Sequence, residues 1–217
     1  MAYYKAKVQI ANEGNFIKIW NYSKPIVYGY DSDRIDYEKR VNGEKSIESL
    51  NRTRNNMIDL IESNVNHWSK FITLTLSVEY CQMERKKMIE KFKEFKKYYQ
   101  RTFGKSLKYI GVMERQFKRQ KKYDLEKAPW HIHLIVFNSQ KLNFKQLKDC
   151  WRYGSVDLKK VDSKDNLSLY MAKYLTKDNV ELNKKGFLRS QHLKKPTEIY
   201  LESNHSIPNK FTYHKTY

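Results

Sequence analysis

Two histidines separated by one residue are the first side chains in this sequence whose spacing suits chemistry. His131 and His133 lie at the start of an apolar run, residues 130–137, that predicts a β-strand. Since residues i and i+2 of a strand point to the same face, both imidazoles leave one side of a sheet and can share a divalent metal ion. The alternative is a half-exposed strand face that carries two histidines and no ligand.

A carboxylate at the end of the preceding predicted strand is the candidate third ligand. Glu114 closes residues 109–114, and pairing of this strand with the histidine strand would bring it beside His131 and His133. Two imidazoles and one carboxylate suit Mn²⁺ or Mg²⁺, with positions left open for phosphate oxygens that the ion would polarise. Otherwise Glu114 is a solvated carboxylate that pairs with Arg115 or a nearby lysine.

Tyrosines and lysines share one stripe of a predicted helix late in the sequence. The stripe occupies positions i, i+3, i+4 and i+7 and consists of Tyr170, Lys173, Tyr174 and Lys177. An adjacent stripe is apolar and is expected to pack on the sheet: Leu167, Met171 and Leu175. A phenol, with an ordinary pKa of about 10, is a poor nucleophile unless lysines or a metal ion favour the phenolate. Attack on DNA phosphorus would leave a covalent phosphotyrosine and a free 3′-hydroxyl. Ordinary amphipathicity, with tyrosines at a core edge and lysines in water, gives the same pattern.

The elements that must position these residues follow one another in a recognisable order from residue 67 onward. Apolar alternation and helical spacing predict strands at 71–77, 107–115, 130–137 and 155–161, and helices at 83–101, 144–151 and from 165 or 166 to 177. The order βαββαβ followed by a tyrosine helix predicts an α+β fold, with a ferredoxin-like or palm-like antiparallel sheet and helices on one face.

The chain is expected to divide into a core and two flanks. The predicted parts are an N-terminal hairpin and helix extension at 1–66 that packs on the main domain, a core at 67–185 and a basic tail at 186–217. Residues 1–66 hold 10 basic and 9 acidic residues, whereas the remainder holds 33 and 15. The positive charge therefore belongs to the core and tail.

Composition narrows the class of protein. The 217 residues carry a net charge of +19 and are 14% aromatic, with 4 Pro and 7 Gly, which excludes disordered and fibrous chains. No run of 18 apolar residues predicts a membrane span, and the first residues lack the apolar stretch of a signal peptide. Cys81 and Cys150 are predicted to be buried thiols in a reducing cytosol.

A nucleic acid is the partner that best suits this charge. Aromatic rings among basic residues can stack on unpaired bases while lysine and arginine neutralise phosphates. The cluster expected to contact DNA, in a basic loop at 118–127 just before the histidine strand, is Lys118, Arg119, Lys121 and Lys122. The N-terminal hairpin is the second candidate for binding DNA.

Three motifs in this order resemble those of the HUH endonucleases, specifically the rolling-circle replication initiators of small plasmids and single-stranded DNA phages. They are FITLTL at 71–76, WHIHLI at 130–135 and YMAKYLTK at 170–177. The third is similar to the two-tyrosine signature of phage gene A proteins. RSQHLKKP at 189–196 resembles a segment that follows the tyrosine motif in replication-associated proteins of Gram-positive plasmids and phages.

The resemblance implies roles for these residues. His131, His133 and Glu114 become metal ligands, and Tyr170 and Tyr174 become the nucleophiles, with Tyr174 preferred. Lys173 and Lys177 become phosphate or metal-shell partners. Such a protein nicks a single-stranded or hairpin origin, holds the 5′ end on tyrosine, and rejoins the strand in a second transesterification. The implied location is the cytoplasm of a bacterial host.

Other functions remain open on the sequence. In relaxases the tyrosine precedes the histidine motif, which disfavours that class here. A two-tyrosine transposase keeps the observed order but usually adds a zinc-binding cysteine cluster, which is missing. A non-catalytic single-stranded nucleic-acid-binding module explains the charge and the aromatics equally well. No helicase P-loop motif occurs, so a host helicase and polymerase are the expected partners, or the sequence is a piece of a longer protein.

Overall fold

The structure, a computed structural model, describes residues 3–27, 47–160, 167–176, 179 and 185–202. Its strands are β1 (Tyr3–Ala11), β2 (Phe16–Val27), β3 (Lys70–Leu76), β4 (Tyr109–Arg115), β5 (Trp130–Val136), β6 (Gly154–Lys160), β7 (Leu188–Arg189) and β8 (Thr197–Leu201). Its α-helices are α1 (Ile47–Glu62), α2 (Arg85–Phe103), α3 (Phe117–Lys122), α4 (Phe144–Cys150) and α5 (Leu167–Ala172). The predicted α+β class is confirmed.

The chain divides into two compact units. The first combines the described residues before 42 with those from 195 onward, and the second comprises the described residues between 47 and 194. Helix α1, which the sequence assigned to an N-terminal extension, belongs to the second unit and packs against α5. The predicted tail supplies β7 to the second unit and β8 to the first.

The second unit is built on a five-stranded antiparallel sheet with the order β6-β3-β5-β4-β7. Its first four strands have the neighbour order of a ferredoxin-like sheet. Odd and even residues of β3 face opposite sides, so Ile72 and Leu74 lie in the core beneath α2 and α4. Phe71 lies in a second core formed with α1 and α5. The expectation of helices on one face only is therefore wrong, because α1 and α5 cover the other face.

Two predicted local structures need correction. The segment expected to be a basic loop at 118–127 begins with helix α3. The tyrosine helix was expected to continue to residue 177, but α5 ends at Ala172 and leaves Lys173 and Tyr174 in a turn. Its predicted start at 165 or 166 lies outside the described residues. In contrast, Asn143 caps α4 as predicted, accepting a hydrogen bond from the Gln146 N–H at 3.2 Å.

The first unit is a three-stranded antiparallel sheet with the order β2-β1-β8. The predicted N-terminal hairpin is confirmed, with β1 paired to β2 across a short turn at Asn12–Gly14. Lys7 on β1 forms a 2.8 Å ion pair with Glu198 on β8. Burial acts to raise the pKa of Glu198, but hydrogen bonds from Lys7, Tyr200 and Gln9 lower it to about 2.

Candidate metal and tyrosine site

Strand pairing brings the three predicted ligands together. Glu114 lies directly opposite His131 in the β4–β5 pair, and Val112 lies opposite His133, so the carboxylate and both imidazoles share one sheet face. One ligand atom from each of Glu114, His131 and His133 lies within 4.8 Å of the others. This face is the one that α5 covers, which places the tyrosine segment beside the cluster.

His133 is held on both sides of its ring. Its Nε2 atom lies 2.8 Å from Glu114 Oε2, and its Nδ1 atom lies 3.2 Å from the Thr73 hydroxyl on the neighbouring strand β3. Glu114 Oε2 also accepts a 2.7 Å hydrogen bond from the Gln116 side-chain amide. The imidazole is buried, with 6% exposed surface, so these contacts fix its orientation.

His131 carries a nitrogen without a counterpart. Its Nε2 atom is buried and has no hydrogen-bond partner among the described residues. Burial, with the nearby charges of His133 and Arg119, lowers the pKa of His131 from 6.5 to about 4. At neutral pH this nitrogen is therefore an unprotonated lone pair aimed into a site that already holds a carboxylate.

Glu114 is poised as an anion. Burial acts to raise its pKa, but the His133 hydrogen bond, the nearby histidines and the Gln116 amide outweigh burial, so the pKa is lowered. A deprotonated carboxylate at neutral pH is the form that binds a metal ion.

The donor set fits a divalent cation. Two imidazole nitrogens and a carboxylate oxygen form a mixed set of a kind that binds Mn²⁺ and similar ions and leaves coordination positions open. The 2.8 Å separation of His133 Nε2 and Glu114 Oε2 is close to the roughly 3 Å between adjacent ligands that lie about 2.1 Å from a shared ion. The buried, unpartnered His131 nitrogen supplies the third donor. These observations support a metal centre and leave the identity of the ion open.

Both predicted tyrosines meet at this site. The Tyr174 ring stacks on the His133 ring, with centroids 4.0 Å apart and an interplanar angle of 16°. Its hydroxyl donates a 2.9 Å hydrogen bond to the Tyr170 hydroxyl. Tyr174 is buried with 9% exposed surface, whereas Tyr170 is 42% exposed. The two phenols are therefore in contact with each other but differ in their access to solvent.

The environment of Tyr174 opposes its ionisation in the metal-free protein. Burial, the hydrogen bond to Tyr170 and the nearby charges of Tyr170 and Glu114 all raise the pKa of Tyr174. Lys173 Nζ lies over the Tyr170 ring at 3.7 Å and over the Tyr174 ring at 4.9 Å from the centroid. Lys177 lies outside the described residues.

The predicted DNA-binding cations lie on α3, between β4 and β5. Lys118, Lys121 and Lys122 are exposed, but Arg119 donates a 2.6 Å hydrogen bond to the Leu76 carbonyl at the end of β3. This bond ties α3 to the end of the sheet that carries Glu114 and His131. Two aromatic residues that the sequence analysis did not single out flank the cations: Phe117 is 51% and Tyr123 48% exposed.

Three further residues were missed because no local pattern marks them. Thr73 is ordinary in an alternating strand, and only strand pairing places it opposite His133. Arg54 on α1 donates a 2.9 Å hydrogen bond to the Leu175 carbonyl. Asn179, 7% exposed, accepts from the Arg115 backbone N–H at 2.9 Å and donates to the Tyr174 carbonyl at 3.0 Å.

A palm-like antiparallel sheet that carries a histidine–carboxylate cluster beside two tyrosines defines an α+β protein with a candidate metal centre. The family model for replication-associated proteins of the ORF2 type matches residues 69–179, more than half of the chain and all of this site. The chain therefore belongs to this replication-associated protein family. The membership indicates a role in DNA replication and DNA as a partner.

Comparisons with curated proteins and with solved structures give no match. None of the helices in the described part of the chain combines the length and the apolar character that crossing a bilayer requires.

Proposed function

We propose that this protein is an HUH-type rolling-circle initiator, which nicks and rejoins single-stranded origin DNA through a covalent 5′-phosphotyrosine. The observation that carries the proposal is the stacking of the Tyr174 ring on His133, 4.0 Å between centroids. This stacking puts a phenol directly against a candidate metal ligand. Membership of a replication-associated family supports the same interpretation.

The candidate ligands Glu114, His131 and His133 would hold Mn²⁺ or Mg²⁺. When bound, such an ion polarises a scissile phosphate and offsets the negative charge that develops on it. The Thr73 hydroxyl orients the His133 ring from the far side, as partners of metal-ligating histidines generally do. Lys173, beside both phenol rings, is placed to meet a phosphate near the two hydroxyls.

Tyr174 is the nucleophile in this proposal. Its oxygen forms a bond to phosphorus, the bond from phosphorus to the 3′-oxygen breaks, and the strand leaves as a free 3′-hydroxyl. The hydrogen bond from Tyr174 to Tyr170 gives the phenol proton a route, since the Tyr170 oxygen can accept it while Tyr170 releases its own proton to water. Rejoining is the reverse reaction, with a 3′-hydroxyl attacking the phosphotyrosine.

Helix α3 is the proposed track for the single strand. Phe117 and Tyr123 offer exposed rings on which bases can stack, and Lys118, Lys121 and Lys122 offer charges for phosphates. The Arg119 bond to Leu76 holds this helix at the end of the sheet where the candidate ligands lie. A host helicase and polymerase complete the proposed replication cycle.

The test is covalent capture of DNA. Purified protein, Mn²⁺ or Mg²⁺ and labelled single-stranded oligonucleotides from the presumed origin are run on a denaturing gel. We expect a slow protein–DNA band that requires metal and is lost in H131A and in Y174F. Trypsin cleaves after Lys173, so an adduct on Tyr170 falls in peptide 165–173 and one on Tyr174 in peptide 174–177.

Other outcomes identify other functions. Salt-sensitive binding of every oligonucleotide without any cleavage, at full metal occupancy, would favour the non-catalytic binding module. Joining of two different DNA ends without an origin requirement would favour a two-tyrosine transposase. An adduct confined to peptide 165–173 would keep the reaction but move the nucleophile to Tyr170.

A further inference from the structure

The backbone that carries Tyr174 is not held by its own helix. Helix α5 ends at Ala172, and Tyr174 lies in the turn that follows, with only a 3.2 Å hydrogen bond from its N–H to the Met171 carbonyl. The carbonyl groups of the last helical turn normally lack intrahelical partners and need others. A proposed nucleophile on such a turn depends on outside contacts for its position.

Asn179 supplies such a contact and links it to the metal-binding strand. Its side-chain Nδ2 donates to the Tyr174 carbonyl at 3.0 Å, and its Oδ1 accepts from the Arg115 N–H at 2.9 Å. Arg115 directly follows Glu114 on β4. One side-chain amide therefore bridges the residue of the proposed nucleophile and the residue next to a candidate metal ligand.

The burial of Asn179 makes this bridge specific. The residue is 7% exposed, and water cannot easily replace the partner of a polar group in such a place. Only one orientation of the amide satisfies both hydrogen bonds, because the carbonyl needs a donor and the N–H needs an acceptor. Strand β7 pairs with β4 only at Ile110 and Gly111, so the side chain of Asn179 takes the place of a strand neighbour at Arg115.

We propose that Asn179 is a positioning residue for the phosphotyrosine reaction, holding the Tyr174 turn in register with Glu114 and thus with the metal centre. The inference rests on the proposed function. It assigns to Asn179 no contact with DNA or metal, only control of the distance between the nucleophile and the ligand strand. A displacement of about 1 Å in such a geometry can lower the rate of a reaction by about 100-fold.

Asn179→Asp is the sharpest variant. Aspartate has the same shape and can still accept from the Arg115 N–H, but its carboxylate cannot donate to the Tyr174 carbonyl. The bridge thus loses its tyrosine side alone. We expect the single-turnover rate of adduct formation to fall about 10-fold or more, while the Kd for single-stranded DNA and the Mn²⁺-induced shift in Tm stay within about 2-fold and 1 °C of wild type.

Asn138→Asp is a matched control for the same chemical change. Asn138 also bridges two backbone groups, accepting from the Lys108 N–H at 3.0 Å and donating to the Ser106 carbonyl at 2.9 Å. It follows β5 and bonds the residue before β4, at the opposite end of the same strand pair. The N138D protein should therefore lose stability without losing the rate.

A second readout separates positioning from general destabilisation. Peptides 165–173 and 174–177 report which tyrosine carries the DNA. If Asn179 holds Tyr174, the N179D protein should shift the remaining adduct toward Tyr170, and N138D should leave the ratio unchanged. An N179D protein that reacts at the wild-type rate with the wild-type ratio overturns the inference alone. A wild-type protein that forms no adduct overturns the proposed function and this inference with it.

Discussion

Replacing His131 with leucine is expected to stabilise the metal-free protein while removing its response to metal. The buried Nε2 atom of His131 has no partner among the described residues, which costs about 1–3 kcal/mol. Leucine removes that nitrogen and fills the space with an apolar side chain. For a domain of this size each kcal/mol raises Tm by about 2–4 °C, so the H131L protein should melt above wild type in EDTA.

The size of this difference should depend on pH in a defined direction. Burial lowers the pKa of His131 from 6.5 to about 4. Between these values the unfolded chain binds a proton that the folded chain does not, so the wild-type protein loses stability as the pH falls. The difference of roughly 2.5 between the two pKa values corresponds to about 3 kcal/mol, which the leucine variant does not lose. Its advantage should therefore grow as the pH falls from 7 to 4.

Thermal unfolding followed by circular dichroism measures both effects. In EDTA, scans between pH 8 and 4 give the difference between the two proteins, and H67L at an exposed position should stay within about 0.5 kcal/mol of wild type. With Mn²⁺ at 100 times its Kd, wild type should gain about 2.7 kcal/mol and H131L nothing. An H131L protein that is less stable than wild type in EDTA, or that still responds to Mn²⁺, would refute the reasoning.

Two further predictions concern the frame and the DNA track. Gly154 pairs with Leu76 at φ +155°, and an added Cβ would lie 2.1 Å from the Thr75 carbonyl oxygen and 2.5 Å from the Ser77 nitrogen. Gly154→Ala should therefore cost more than about 2 kcal/mol in urea unfolding, whereas Gly104→Ala, with φ +66° and open space, should cost about 1 kcal/mol; equal costs would contradict the steric argument. Charge reversal of Lys118 and Lys121 should lower the salt slope of single-stranded DNA binding by about 0.7 for each phosphate that the protein no longer neutralises. The same change at Lys93 and Lys97, exposed on α2 beneath the other sheet face, should leave the slope unchanged, and an unchanged slope in the α3 variant would remove this helix from the proposed track.

The ligand cluster could be predicted because each step in its assembly is local. Alternation along β5 places His131 and His133 on one face, and the short connection between β4 and β5 makes them antiparallel neighbours. Glu114 then falls opposite His131 with no information beyond the two strands. The face that α1 covers could not be predicted in the same way, because it depends on a helix that precedes the sheet in sequence.

The residues after 185 resisted prediction for a different reason. Strand β7 has only two residues, and β8 pairs with β1, nearly the whole length of the chain away. A short strand gains its stability from the partner that it meets, so its own sequence carries little signal. Local patterning predicts neither which edge such a segment joins nor its register.

The end of α5 shows how a correct stripe can accompany a wrong boundary. The apolar positions Leu167, Met171 and Leu175 are buried as predicted, and their spacing gave no reason to stop the helix at Ala172. No glycine or proline marks the boundary, because the exposed carbonyls find partners far away in sequence. Asn179 takes that of Tyr174 and Arg54 that of Leu175. The side chains that end the helix are thus the ones that fix where Tyr174 lies, so the boundary error and the overlooked positioning residue have one physical cause.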